Sequence, residues 1–401
     1  MNWLDLLVEG TKCSESPARY YWWAGIAALG AVARKQVSID RHFYTLYPNV
    51  YVALVSARSG LRKGAPIAVI KGLVEDLDCV RVVSGCNSIQ GLTKELGMQK
   101  TFEDGRILST AQGLLVSDEF KAFLTDDPNA LTILTALHNT HEHEKSWTKT
   151  LKNSPVEVLK SPCLSMLVAS NEVLFHQVVT NSDMEGGFVA RTFIVYESYR
   201  RMVNSLVYPP EVRLNTKALL AELKAISLVK GVFLWCADTA HFYDKWYTEM
   251  CQSSTDDRTG TMERLGDQVI KVAMLIELAD GAGRTKPLEL TLEVMRTAIA
   301  KAEECLGGVK AISIGGTSAN DEQDKAIPAV VKALLSAADN YLVRSVLLTK
   351  TGLDAVVLDR ALATLTQRET ILPAFRDQAK RICYRLNPEV VATYNNLRGQ
   401  V

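Results

Sequence analysis

Apolar residues recur along this chain in two rhythms, and the change from one to the other divides it. Up to about residue 45 the spacing predicts helices. Ser14-Glu15-Ser16-Pro17 reads as a turn with proline placed to open a helix, and the "ARYYWWAGIAALGAVARK" that follows predicts a buried one. From Tyr47 to about Tyr199, short apolar runs alternate with longer amphipathic stretches. The runs 50–55 (VYVALV), 79–83 (CVRVV), 112–117 (QGLLVS), 163–169 (CLSMLVA) and 191–196 (RTFIVY) predict strands of a sheet covered on both faces. That is an α/β layer architecture. Beyond Pro209-Pro210 the pattern turns helical through residues 211–310. A Gly/Ser-rich, charged linker is expected at 312–325, "ISIGGTSANDEQDK", and helix–turn–helix spacing returns in 326–387. The expected organisation is an N-terminal helical segment (1–45), an α/β core (46–210), a helical domain (211–311) and a small winged-helix-like module with a basic tail (326–401). No internal repeat is visible.

Composition narrows the class. With 47% hydrophobic and 22% charged residues, the 401-residue chain can bury a core and is not a disordered one. Lys+Arg and Asp+Glu are both 45, so any nucleic-acid surface must be local rather than a property of the whole chain. The eight cysteines form no CxxC pair and no metal-finger spacing, the usage of reduced intracellular thiols. The most apolar stretch, Tyr20–Val32, lies between Arg19 and Arg34 and is shorter than the roughly 20 residues a membrane helix needs. The start Met1-Asn2-Trp3-Leu4-Asp5 has no basic leader. A soluble, cytoplasmic protein is expected.

Candidate chemistry gathers around the apolar runs of the core. After the first lies "SARSGLRKGAPI", a tight Ser59-Gly60 turn followed by the cationic Arg62-Lys63-Gly64 and a helix-like stretch. A phosphate-binding P-loop, G-x-x-x-x-G-K-[ST], cradles phosphates with successive backbone N–H groups at a helix N-terminus while its lysine reaches the terminal ones. With Lys63 in the lysine position, Ala57 and Arg62 replace the glycines and Gly64 replaces the hydroxyl residue. Ser59, Gly60, Arg62, Lys63, Gly64 and Ala65 are the candidate phosphate contacts; a plain strand–turn–helix connection with solvated cations is the competing reading.

The run 112–117 ends in Asp118-Glu119, the acid pair that in such NTPases holds Mg²⁺ and polarises the attacking water. "SMLVASN" ends in Ser170-Asn171, and Asn171 either senses a phosphate or caps the next helix. Arg191 opens the last run, where it is either an arginine finger reaching a neighbouring subunit or an ion-paired surface residue. His138, His141 and His143 are spaced i, i+3, i+5, which does not converge on one helix face, so a metal there is disfavoured. Lys145, Trp147, Lys149 and Lys152 interleave cations with an aromatic, the composition of a single-strand nucleic-acid surface.

The order of these pieces resembles a family of phage- and mobile-element-encoded, RecA-fold, helicase-like replication proteins found near or fused to primases. The likeness runs from about Ser16 to the tail. It rests on "SPARYYWWAGIAALGAVARKQV", "LYPNVYVALVSARSGLRKGAPI", "LLVSDEFKAFL", "SMLVASNEVLF", "GGFVARTFIVYE" and "TMERLGDQVIKVAMLIELA". The resemblance implies a RecA-like P-loop NTPase core related to hexameric DNA helicases, with ATP and Mg²⁺ as cofactors. Single-stranded DNA, a homohexameric ring and a primase are the implied partners. Lys63 would then be the phosphate lysine, Asp118 the metal acid, Glu119 the catalytic base and Arg191 a finger acting in trans. The family's loop form carries Thr after Arg-Lys-Gly, where this chain has Ala65, and a leading Gly where it has Ser56 or Ala57. Besides a structural or interaction scaffold with no nucleotide, which the Asp118-Glu119 pair argues against, the departure leaves two readings. One is an ATP-driven motor on DNA; the other is an NTP-binding but hydrolysis-impaired replication initiator, helicase loader or DNA-binding scaffold.

Overall fold

A capping box opens the chain: Asn2 Oδ1 accepts from the Asp5 N–H and the Asp5 carboxylate accepts from the Asn2 N–H, which starts α1 (Trp3–Gly10). Helix α2 (Ala18–Ala33) is buried along almost its whole length. It approaches α1 closely because Gly25 has no side chain; a Cβ there would meet Leu4 and Leu7 at 2.8 and 3.0 Å. The structure, a computed structural model, describes residues 2–57, 59–85, 88–98, 100–103, 106–124, 129–139, 146–149, 157–179, 187–203, 214–253, 260–315, 318–337, 340–367, 370–372, 375–376, 381–388 and 391.

After α2 the chain departs from the helical expectation for its first 45 residues. Residues Val37–Asp40 form β1 and Thr45–Leu46 form β2, which pair antiparallel. Then comes β3 (Tyr51–Ser56), buried at every position, followed by α3 (Gly64–Glu75), β4 (Arg81–Ser84) and α4 (Ile89–Gly97). A hairpin of β5 (Lys100–Glu103) and β6 (Arg106–Ser109) leads to β7 (Gln112–Ser117), α5 (Phe120–Leu124) and α6 (Ala130–His138). A second hairpin, β8 (Ser146–Lys149) and β9 (Glu157–Lys160), leads to β10 (Cys163–Asn171), α7 (Glu172–Val178) and β11 (Thr192–Glu197).

The central sheet has five parallel strands in the order β11-β3-β10-β7-β4. Its two faces divide the residues of β3 alternately, as a two-residue period requires. Val52 and Leu54 join a core with α2 and α3, while Tyr51, Ala53 and Val55 join another with α4 to α7. That double burial is why the run is continuously apolar rather than alternating. A hydrogen bond and a ring contact lock α2 over the sheet. Tyr20 Oη donates to Val55 O at 2.6 Å, and the Trp23 ring lies 4.3 Å from that of Phe193.

Residues 211–310 were expected to be wholly helical, yet Gly231–Trp235 form β12 and Glu289–Leu290 form β13. With β1 and β2 they make a second sheet, β13-β12-β1-β2, in which β1 and β12 are parallel. The reason is long-range pairing: Val37 lies opposite Gly231 and Ile39 opposite Phe233. Helices Thr216–Ile226, Ala237–Ser253, Thr261–Ala279 and Leu292–Gly315 supply the rest. The expected linker 312–325 is also helical on either side of residues 316–317, ending the helix Leu292–Gly315 and opening Ser318–Leu335.

Contacts divide the chain into two units, Met1–Ile312 and Ser313–Val401. The second has its own core, including Val330, Leu334, Leu347, Leu362 and Leu386. Helices Ser318–Leu335, Arg344–Thr351 and Ala355–Gln367 accompany a three-stranded antiparallel sheet of β14 (Tyr341–Val343), β16 (Ile382–Arg385) and β15 (Phe375–Arg376), with β16 in the middle. No described helix is long and apolar enough to cross a membrane.

Candidate functional site

In an open parallel sheet, ligands bind where the strands end at their carboxyl edge. The loop from β3 to α3 lies at that edge. Ala57 N donates to Glu197 O at the end of β11, so the loop leaves the sheet tethered. Ser59–Leu61 make one 3₁₀ turn, and Arg62 then takes a left-handed conformation (φ 54°), which a non-glycine residue adopts only at some cost. Its guanidinium is held: Nε donates to Glu15 Oε2 at 3.0 Å, while Arg200 Nη1 donates to Glu15 Oε1 at 3.2 Å. Gly60 lies beneath Arg200, where a Cβ would come within 2.9 Å of Nη2. Glu15, 8% exposed, thus ties the loop to the turn before α2.

Lys63 stands at the N-terminal end of α3, and its Nζ donates to Ser56 Oγ at 2.7 Å. The side chain is partly buried, and burial holds its ammonium below the ordinary lysine range. Among the described residues no carboxylate lies within ion-pairing distance of it. A desolvated cation without a counter-ion is the local condition for capturing an anion. Gly64 is exposed with open space around the position of a Cβ, so packing does not forbid a hydroxyl residue there.

Asp118 and Glu119 follow β7, and both are exposed. One strand, β10, separates β7 from β3, and Val168 lies opposite both Ser117 and Ala53, so the acids lie near the level where β3 ends. Gly64, Lys71, Ser84, Ser117, Asp118 and Glu119 all line one cleft of ≈ 430 Å³. The structure therefore brings the start of α3 and the acid pair to one cavity. Asn171 is at the same edge, opposite Ser56 in the neighbouring strand. Its Oδ1 accepts from Leu174 N at 2.8 Å, which makes it the N-cap of α7.

Arg191 is not in this cluster. It precedes β11, whose first residue lies opposite Tyr51 at the start of β3, so the six-residue height of the sheet, roughly 20 Å, separates it from the loop. Far from being a solvated ion pair, Arg191 is 6% exposed and bound to neutral groups. Its Nε donates to Asn139 Oδ1 at 2.8 Å and Nη1 to Gly187 O at 2.7 Å. Burial, with Arg264 nearby, pushes the guanidinium down to about 10.

Of the expected nucleic-acid residues, Trp147 and Lys149 belong to β8, opposite Leu159 and Glu157 of β9, while Lys145 and Lys152 lie outside the described residues. So do His141 and His143; His138 is buried against Tyr51, ring centroids 4.8 Å apart. Glu15 escaped sequence reasoning, since a glutamate in a turn carries no signal of a loop more than 40 residues away.

The cleft suits a phosphate-bearing ligand: a lysine without a counter-ion beside it, an exposed helix start in its wall, and two carboxylates at its rim able to hold a hydrated Mg²⁺. The loop departs from the P-loop pattern at both glycines, where it has Ala57 and Arg62, and at the hydroxyl residue, where it has Gly64. No family model matches the chain, and no curated protein does.

Proposed function

We propose that this chain is an ATP-dependent DNA-replication protein of helicase type, with its nucleotide site at the carboxyl edge of the five-stranded sheet. The observation that carries the reading is Lys63: desolvated, without a carboxylate, hydrogen-bonded to the last residue of a buried parallel strand and adjoining the Asp118–Glu119 cleft. Two features support the RecA-like frame. The five parallel strands run 5-1-4-3-2 in chain order, the order expected of such a core, which sets one strand between the loop and the acids. In the second unit, helix–strand–helix–helix–strand–strand is the order expected of a winged helix, a module that binds DNA or protein.

In this reading the loop from Ser59 to Ala65 and Lys63 hold the phosphates of ATP. Asp118 would hold Mg²⁺, which when bound would supply charge neutralisation along the phosphates. Glu119 orients the attacking water and accepts its proton. Asn171 stands beside Ser56, where its amide N–H₂ is the group left for a phosphate or water. Arg191, at the opposite edge, does not reach this chain's own loop, so as a finger it serves a neighbour's nucleotide and turnover requires a ring; single-stranded DNA is the track and a primase the functional companion.

A second reading has a specific observation behind it. Neither Gly64 nor Ala65 carries a hydroxyl, so Mg²⁺ loses one protein ligand, which favours an NTP-binding initiator or loader with little turnover. Steady-state ATP hydrolysis with and without single-stranded DNA separates the two. DNA-stimulated turnover lost in Lys63→Ala and Glu119→Gln supports the motor. ATP binding without turnover, abolished by Lys63→Ala, supports the loader, and absence of both binding and turnover sinks the nucleotide site.

A further inference from the structure

A second cleft, ≈ 320 Å³, opens at the amino edge of the sheet, away from the nucleotide loop. Arg191, Arg264, Gln268 and Lys271 line it together with Asn49 and Asn139. Arg264, Gln268 and Lys271 are spaced i, i+4, i+7 on the helix Thr261–Ala279, so they share one face. Lys271 is 4% exposed, and its Nζ donates only to neutral groups, Asn49 O at 3.1 Å and Asn49 Oδ1 at 3.0 Å. Arg191 likewise meets only neutral acceptors.

The acid in the lining is Asp267, and it is already engaged. Its carboxylate accepts from Tyr44 Oη at 3.0 and 3.2 Å and lies 3.9 Å from Arg41 Nε. Among the described residues none of Arg191, Arg264 and Lys271 has a carboxylate within 4 Å. Two of these three cations are buried, and a buried charge left unpaired is unfavourable.

The hydrogen-bond network fixes a second demand. Asn139 Oδ1 is an acceptor and lies 3.3 Å from His138 Nδ1, so Nδ1 carries the imidazole proton. Burial keeps His138 neutral, well below its ordinary range. Its Nε2 then accepts from Gln268 Nε2 at 3.3 Å, which leaves Gln268 Oε1 buried with no donor. Water can satisfy that oxygen but cannot offset the positive charge.

We propose that this cleft is an anion site for a small phosphorylated ligand that also bears a hydroxyl, separate from the nucleotide site. Phosphate oxygens meet Lys271, Arg191 and Arg264, and the hydroxyl donates to Gln268 Oε1. Cations so placed recognise phosphate through charge-assisted hydrogen bonds. The site adds a ligand input at the opposite edge of the sheet from ATP.

The test uses the full chain with Lys63→Ala, which disables the nucleotide loop, at a dilution where light scattering shows a monomer. Inorganic phosphate, which keeps a proton at neutral pH, is titrated by calorimetry and by thermal melting, against chloride at equal ionic strength. Binding in this background, weakened about tenfold by Arg264→Ala, or ~1.4 kcal/mol, is the expected result. Arg264 is exposed, so that variant keeps its core. Lys271→Met, which exchanges a buried charge for an apolar chain of similar length, is expected to abolish binding while melting no lower than its parent without phosphate. Sulfate, lacking the proton, is expected to bind more weakly than phosphate. Absence of phosphate binding in the Lys63→Ala background, binding unchanged by both cleft substitutions, or sulfate binding as tightly as phosphate would each overturn the proposal.

Discussion

At Lys63 and Lys271 the same side chain is used in two settings that predict different behaviour. Lys271 is buried, and burial holds its ammonium down to about 8 against the attraction of Asp267. An unfolded lysine titrates near 10.4, so between about pH 8 and 10 the unfolded chain holds the proton that the native one has released. Stability contributed at this position therefore rises with pH across that window, and below it the charged form is a net cost. The stability of wild type relative to Lys271→Met is expected to improve by about 3 kcal/mol from pH 7.5 to 10.5, measured by urea unfolding; a flat difference would mean that the amine is not desolvated. Glu15 predicts something smaller. Its two arginine partners are substantially exposed and rehydrate when released, so Glu15→Gln should lower stability by only about 1 kcal/mol. It frees Arg62 and Arg200 over the loop, so a weaker affinity for ATP is expected, though a smaller loss than with Lys63→Ala. At Gly64 the open surroundings allow Gly64→Ser. Under the motor reading that change raises Mg²⁺-dependent turnover by severalfold or more, and a hydroxyl without effect would show that the loop does not approach the metal.

At the scale of elements, two glycines within helices carry opposite predictions. Gly72 is exposed in α3 and has nothing near its missing Cβ, so Gly72→Ala should stabilise by about 0.5–1 kcal/mol through the entropy of the unfolded chain. Gly30 in α2 faces Pro48 O and Ser165 Oγ, which a Cβ would meet at 2.7 and 2.8 Å. Gly30→Ala should destabilise by about 1–3 kcal/mol in spite of alanine's helix preference, because backbone must shift. Melting curves of the two variants decide both. What the sequence disclosed about elements follows the same division between local and distant causes. Strands β3, β7, β10 and β11 were legible because double burial leaves continuous apolar runs. Strand β12 was not: Phe233 is buried while its neighbours Val232 and Leu234 are exposed, an alternation that hydropathy cannot show when all three residues are apolar. The linker reading of 312–325 failed because its Gly and Ser residues outweighed the Ala, Glu, Gln and Lys that sustain the helix from Ser318.

For the whole molecule, the loop from β3 to α3, the Asp118–Glu119 pair and both clefts belong to the unit ending at Ile312. A chain ending at Gly315 is therefore expected to fold and to bind ATP as tightly as the full chain; a loss of binding would assign part of the site to the second unit. The apolar strands that Lys63 and Asp118 follow were legible in the sequence. Contacts between distant segments were not. The amino-edge cleft depends on Lys271 reaching Asn49 across 222 positions, and no local pattern encodes such a meeting. The same distance has a consequence in time. Val37 waits for Gly231, 194 residues later, before β1 can pair in parallel. At synthesis rates of 5–20 residues per second, on the order of 10–40 s pass with that strand edge unpartnered. The ribosome thus delivers the central sheet well before β12, and in that interval the nascent chain exposes an unpaired strand edge of the kind that chaperones shield.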